Sequence, residues 1–496
     1  MIDRSFIEYL GFQWDGRFYV FKVLPFGLAT AGFIFSKVTR EAVKFWRSSG
    51  HKIIMYLDDG LAGANTIQSA YVLSSKIKND LEKLGFLLAH EKCDWKPRQN
   101  ITWLGLIWNM ASGTMHLTEE RMQNIEQNIE MLLTHLRSGK RVVNVRFLAS
   151  IVGQLISAQT VFGQIVRLRT RNAYSCVNDR LGWNSKIYVT REAETEMSFW
   201  LENLVPLNEK GNSFCHLTER DVIDLKMFSD ASNTGYGGYL ADQNDEFIAN
   251  SDMFGNWISH EMKQSSTWRE LEAVNRVLHQ NLSNIQGKTV QIISDNRNVS
   301  HIQVGSKKEC LNEIGLEILD VCVRNDIRVV PLWIPRSINV QADRLSRCFD
   351  CDDWGIQWWV YLSLDLQWGP HTYDRFASFY NRKCEKFSSK FWCKEAQSVD
   401  AFKDSWLNEN NWIVPPPSLI SKVVTKITKE KSVCTLFVPV WKSAPFWPLI
   451  CENHAYKSFY TSYRYFKGFN VTHKGRGRNG ILKSQSFDFV ALRIVF

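Results

Sequence analysis

Long apolar runs are missing from this sequence. No stretch approaches the roughly 18 apolar residues that a membrane-crossing helix needs, so no membrane-spanning segment is expected. The start, Met1-Ile2-Asp3-Arg4, lacks the charged-then-apolar pattern of a secretion signal. A disulfide framework is missing too. The 11 cysteines are odd in number and irregular in spacing, which points to free thiols in a reducing, intracellular compartment, cytoplasm or nucleus alike. Cys348-Phe349-Asp350-Cys351 is a lone C-x-x-C without a second pair, which argues against a zinc site. There is no internal repeat, and no strong charge of one sign: the net charge is only +9, compatible with a polyanionic partner without requiring one.

What is present is ordinary globular material in quantity. A hydrophobic share of 45% against 22% charged residues, over 496 residues, supports three or four packed domains. The 19 Trp and 30 Phe fill cores by default, with base stacking as the alternative use.

One nine-residue stretch organises the N-terminal region. Ile53-Ile54-Met55-Tyr56-Leu57-Asp58-Asp59-Gly60-Leu61 reads as strand, tight turn, strand, with two acids at the tip. Adjacent carboxylates repel unless a cation lies near them, so the pair is a candidate divalent-metal site. A solvated Asp-Asp-Gly turn is the plainer reading. Around it, Phe18–Val23 reads as a strand, Leu24-Pro25-Phe26-Gly27-Leu28 breaks it, and helices are expected over residues 29–46 and 70–84. Ile101–Trp108 adds a strand pair, giving an antiparallel sheet with helices.

Residues 118 to about 205 have helical periodicity. Thr118 is the expected N-cap of the first helix, Phe147–Leu168 reads as one long helix, and a third is expected over residues 191–204. Arg137, Lys140, Arg141, Arg146 and then Arg167, Arg169, Arg171 form basic clusters, either solvated faces or grips on nucleic acid.

From residue 222 strands and helices alternate again, and four acids stand out. Asp230 and Asp295 each close an apolar strand, Glu270 lies on a helix between them, and Asp343 lies near the start of a later helix. Acids at neighbouring strand ends converge on one sheet edge. Four such carboxylates have the oxygen-only chemistry that suits Mg2+ and hydrolysis of a phosphodiester.

These residues carry a resemblance. Phe228-Ser229-Asp230-Ala231-Ser232, Trp268-Arg269-Glu270-Leu271, Ser294-Asp295-Asn296 and Asn339–Arg347 resemble the four catalytic blocks of retroelement type 1 ribonuclease H. Leu24–Ala31, Tyr56-Leu57-Asp58-Asp59, Leu84-Gly85-Phe86 through Lys92-Cys93, and Trp103-Leu104-Gly105 resemble the reverse transcriptase palm. Trp368-Gly369-Pro370, Asp374–Ser378 and Phe446-Trp447-Pro448 resemble the region that follows ribonuclease H in DIRS-type retrotransposons.

The resemblance implies an α+β multidomain chain. Residues 1–116 would be a truncated polymerase palm (antiparallel sheet with helices), 117–221 a helical thumb or connection, 222–348 a ribonuclease H-like mixed α/β sheet, and 349–496 a poorly defined, partly irregular C-terminal retroelement region. It implies Asp230, Glu270, Asp295 and Asp343 as ribonuclease metal ligands and Asp58 and Asp59 as polymerase metal ligands. Tyr56 would lie near the primer end, Pro25, Phe26 and Gly27 would shape the nucleotide and template pocket, and Lys92 would protonate the leaving pyrophosphate. The implied cofactor is Mg2+, with Mn2+ as the alternative ion. The implied partners are an RNA–DNA hybrid, an RNA template and DNA.

Two departures matter. The palm's third aspartate lies upstream of the Leu10-Gly11-Phe12 block in the family and has no counterpart here, so loss of polymerase activity is expected. The histidine of many ribonucleases H before the last aspartate is replaced by Pro335-Arg336-Ser337. Two rival functions stand beside hybrid cleavage: a non-catalytic nucleic-acid-binding remnant of a retrotransposon, and a tyrosine recombinase. The second is set aside because no tyrosine follows Tyr465, downstream of His473-Lys474-Gly475-Arg476.

Overall fold

The computed structural model describes residues 3–214, 222–300, 302, 305–306, 308–350, 354–452, 455–468, 470–473 and 487–496. The fold is mixed α+β, and among the described residues no helix is long and apolar enough to cross a membrane. The basic glycine-rich tail at residues 474–478 and Cys351 of the C-x-x-C lie outside the described residues. The chain divides into two compact units: Met1–Gly163 with Asp179–Thr218, and Gln164–Asn178 with Glu219–Phe496.

In the first unit, the antiparallel strands expected from the sequence form three separate sheets. Gly11–Trp14 pairs with Arg17–Val20, and every residue of both strands is exposed. Lys52–Tyr56 pairs with Asp59–Gly63. A third sheet runs in the order Asn212–Ser213, Thr114–Leu117, Leu106–Asn109, Asn100–Trp103. The helices Ala31–Ser48 and Ile67–Lys83 clamp the second hairpin through a small core of Val43, Trp46, Ile53, Leu73, Ile77 and Leu81. Trp46 satisfies its indole N–H by donating to Asp80 at 2.9 Å. Burying that N–H without a partner would oppose the packing.

The helix Glu119–Arg137 starts where expected, the Thr118 hydroxyl accepting from the Arg121 amide. The single helix read over Phe147–Leu168 does not form. Val145–Ser157 ends at Ala158, a one-turn piece spans Gln159–Phe162, and Gly163 turns the chain at φ 73°. A glycine takes that left-handed conformation without steric penalty, whereas helical periodicity of the apolar residues is blind to it.

Two large sheets carry the second unit among the described residues, beside the short pairings of Gly355–Ile356 with Thr472–His473 and of Cys451–Glu452 with Ala455–Tyr456. The first runs Met253–Asn256, Gly235–Ala241, Leu225–Ala231, Thr289–Ser294, Arg328–Trp333. Its first three strands are antiparallel, and the last two join in parallel. Helices Ser266–Gln280 and Glu309–Arg324 bury Val274, Val277, Leu278, Ile314 and Ile318 with Met227 and Ile292 from the strands. Residues 164–178 dock here: Asn312 donates to the Leu168 carbonyl at 3.3 Å and Arg169 pairs with Asp320 at 3.4 Å. Arg171 donates to the Ser306 carbonyl at 3.2 Å, so this arginine, like Arg169, is engaged within the chain.

The C-terminal region, to which the sequence assigned no definite fold, builds a seven-stranded sheet. The order is Ser398–Val399, Lys386–Ser389, Tyr373–Asp374, Asn411–Ile413, Cys434–Pro439, Phe489–Ile494, Tyr460–Phe466. The first five strands are parallel and the last two antiparallel. Successive residues face opposite sides of a strand. Leu436 and Val438 accordingly join one core with the helix Ile420–Glu430, while Phe437 joins another with Trp358–Trp368.

Candidate active site

Two parallel strands set the site. Leu225–Ala231 and Thr289–Ser294 are in register at Phe228 and Ile293, so Asp230 and Asp295, each two residues further on, leave the same sheet edge. Asp230 is buried within its strand and Asp295 half-buried just past its strand. Glu270 comes from the first turns of Ser266–Gln280, whose N-terminus is fixed by the Ser265 hydroxyl accepting from the Trp268 amide at 3.2 Å. One oxygen from each of Asp230, Glu270 and Asp295 lies within 4.8 Å of the others.

The electrostatics are those of crowded, desolvated anions. Burial pushes the Glu270 carboxyl up to about 9, with the charges of Asp230 and Asp295 adding to the rise. The Ala231 amide and the Ser294 hydroxyl, both directed at Glu270, offset part of it. Burial also raises Asp230, and the charges of Asp295 and Asp343 act in the same direction. Asp230 Oδ2 and Glu270 Oε2 are buried and accept no hydrogen bond. Buried carboxylate oxygens without donors are costly, and a divalent cation among them would remove that cost. On these grounds the residues present fit such an ion.

Asp343 is treated differently. Its helix, Val340–Ser346, is fastened to the sheet: Ser232 donates to the Ser346 carbonyl at 2.7 Å and Asn339 to the Ser229 carbonyl at 2.9 Å. Gly237, opposite Asp230 on the neighbouring strand, lets this helix come close. A Cβ there would lie 2.5 Å from Leu345 backbone and side-chain atoms. Gly237→Ala is therefore expected to push the helix away and to cost about 1–3 kcal/mol, measured by urea unfolding, with an unchanged midpoint as the contrary result. The Asp343 carboxylate itself sits outside the three-acid group and is taken by two arginines. Arg347 and then Arg336 hold it down at about 2. These arginines were not singled out as site residues from the sequence, although Arg347, four residues after Asp343 on a helix, is at pairing distance.

The other sequence candidates lie in the first unit. Asp58 and Asp59 are exposed at the hairpin, where Tyr56 pairs with Asp59 across a two-residue turn. Leu57 occupies the first turn position at φ 55° while Asp58 is not in that region, the signs of a type II′ turn. A leucine there is strained, as residues at functional sites often are. Among the described residues, no third carboxylate converges with Asp58 and Asp59. Tyr56 is exposed, Pro25 half-buried, Phe26 fully exposed, Gly27 in a turn at φ 86°, and Lys92 exposed in a later turn.

Residues 2–108 match the family model described as "Reverse transcriptase (RNA-dependent DNA polymerase)". That segment thus carries the family's sequence signature. No curated protein matches the chain. Among solved structures, the chain is similar to a foamy viral protease-reverse transcriptase dRH in complex with double-stranded DNA. The identity is 18%, covering 67% of this chain and 54% of that one, with a TM-score of 0.38. It is also similar to ribonuclease H1 from the halophilic archaeon Halobacterium salinarum NRC-1, at 13% identity over 25% of this chain and 92% of that one, TM-score 0.21. LC11-RNase H1 in complex with an RNA/DNA hybrid matches at 18% identity over 25% of this chain and 91% of that one, TM-score 0.22. The chain spans about half the length of the foamy viral protein, 54% in that comparison.

Proposed function

We propose that this chain is a retroelement protein of DIRS type whose residues 222–348 hydrolyse the RNA strand of an RNA–DNA hybrid. The observation that carries this reading is the convergence of Asp230, Glu270 and Asp295 within 4.8 Å at one sheet edge, with buried oxygens that accept no hydrogen bond. With Asp343 as fourth ligand, these acids would hold Mg2+, or Mn2+ in its place. When bound, such ions supply an activated water and charge stabilisation for the leaving oxygen of a phosphodiester.

The chain's own residues do the rest. Asp230 and Asp295 are fixed by parallel strands and Glu270 by a capped helix, so the three oxygens are preorganised rather than collected by the ligand. Hybrid would be recognised by backbone shape and 2′-hydroxyls rather than by base sequence. The test is a substrate panel: one labelled RNA offered as hybrid, single strand and RNA duplex, with Mg2+ or with EDTA. Cleavage of the hybrid alone, in Mg2+ alone, is expected; binding without cleavage would favour a non-catalytic remnant.

For the first unit, Asp58 and Asp59 would be the polymerase metal ligands, with Tyr56, Pro25, Phe26, Gly27 and Lys92 around the nucleotide. Supporting inactivity of this chain as it stands, no third carboxylate joins the pair among the described residues. A two-metal site lacking a ligand is expected to lose at least about a hundredfold in rate. Purified protein is expected to give no primer extension with Mg2+ or Mn2+; clear extension would refute this.

A further inference from the structure

We propose that Arg336 and Arg347 form a latch that withholds Asp343 from the acid triad until a polyanionic backbone draws the two guanidinium groups away. This rests on the ribonuclease reading above. Both oxygens of Asp343 are occupied. Oδ1 accepts from Arg336 Nη2 at 2.6 Å and Arg347 Nη2 at 2.8 Å, and Oδ2 accepts from Arg347 Nε at 2.9 Å. The Arg347 contact is a two-bond fork, the strong geometry for a guanidinium on a carboxylate.

The backbone of Asp343 is already in place, because Ser232 and Asn339 tie its helix to the strand that carries Asp230. Only the side chain is diverted, and the other three acids converge without it. The arginine side chains are 65% and 52% exposed, so both reach solvent and any ligand at this edge. A phosphodiester offers the guanidinium the same paired oxygens that Asp343 offers. Phosphate and Asp343 therefore compete for the same donors, and phosphate binding at the arginines frees Asp343 for a cation. Arg336 and Arg347 are thus positioning residues, acting through Asp343. By linkage, hybrid binding and cation binding strengthen each other.

The test reads cation binding rather than activity. Mg2+ is titrated calorimetrically into four free proteins: wild type, the Arg336→Ala/Arg347→Ala variant, Asp343→Asn, and the triple variant. Circular dichroism in EDTA checks folding, and Arg347→Lys, which keeps the charge and loses the fork, replaces the double variant if that one fails to fold. The latch predicts at least about tenfold tighter binding, or a second ion, when the arginines are removed, and no such gain when Asp343 is asparagine. An equal gain in both backgrounds would mean that the arginines act only by charge, and no gain would mean that they do not compete; either overturns the latch. Absence of Mg2+ binding in every protein would overturn the ribonuclease reading, and the latch with it.

Discussion

Asp295→Asn is expected to lower Mg2+-dependent cleavage of hybrid RNA by at least about a hundredfold, the scale seen when one preorganised electrostatic group is removed. The amide keeps the size of the side chain but turns one ligand oxygen into an N–H donor facing Asp230 and Glu270. The fold has little reason to change. The neighbouring contact at this position uses the Asp295 backbone carbonyl, which accepts from the Trp333 indole at 2.8 Å and is unaffected by the substitution. Thermal unfolding in EDTA should therefore be no lower than wild type, and somewhat higher because a like charge beside Asp230 and Glu270 is gone, while cleavage is lost. Full activity in Asp295→Asn would show that the acid triad is not the reacting site.

Glu270→Gln should do something less intuitive: stabilise the metal-free protein at pH 8 while abolishing cleavage. The Glu270 carboxyl is raised from an ordinary 4.5 to about 9, mainly by burial. Between those two values the folded state holds a proton that the unfolded state has lost. Stability therefore falls as pH rises through this window, because folding must either take up the proton or bury a charge. Glutamine has no such proton to bind, so its melting temperature in EDTA should exceed that of wild type by several degrees at pH 8 and the two should converge near pH 4.5. A lower melting temperature for Glu270→Gln at pH 8 would contradict this account of the site. The same argument requires wild type to release protons when Mg2+ binds, visible as a buffer-dependent heat.

Much of the five-stranded sheet that carries the acid triad was legible because its signals are local. Leu225–Ala231 and Thr289–Ser294 are largely apolar runs with an acid next to last or immediately following, and the sequence alone placed Asp230 and Asp295 at these strand ends to within one residue. The hairpin Lys52–Tyr56 with Asp59–Gly63 was legible for the same reason. What was missed depends on tertiary partners. Asp343 looks like Asp230 in sequence, yet its carboxylate is held by Arg336 from an irregular segment and by Arg347, the residue that caps its own helix, and the neighbours alone do not reveal that choice. Gly237 matters only because the helix Val340–Ser346, distant in sequence, lies against it. The C-terminal sheet stayed hidden because strands such as Tyr373–Asp374 and Ser398–Val399 have only two residues each, too few to show a period of two.

The triad of desolvated acids at one sheet edge, Asp230, Glu270 and Asp295, would serve in the proposed reading as a divalent-metal phosphodiesterase site for hybrid RNA. The most direct measurement is end analysis of RNA from a labelled hybrid incubated with purified wild-type chain in Mg2+, with EDTA and Asp295→Asn in parallel. Mg2+-dependent fragments carrying 3′-hydroxyl and 5′-phosphate ends are expected, absent in both controls. No cleavage by wild type, or cleavage that persists in EDTA or in Asp295→Asn, would contradict it.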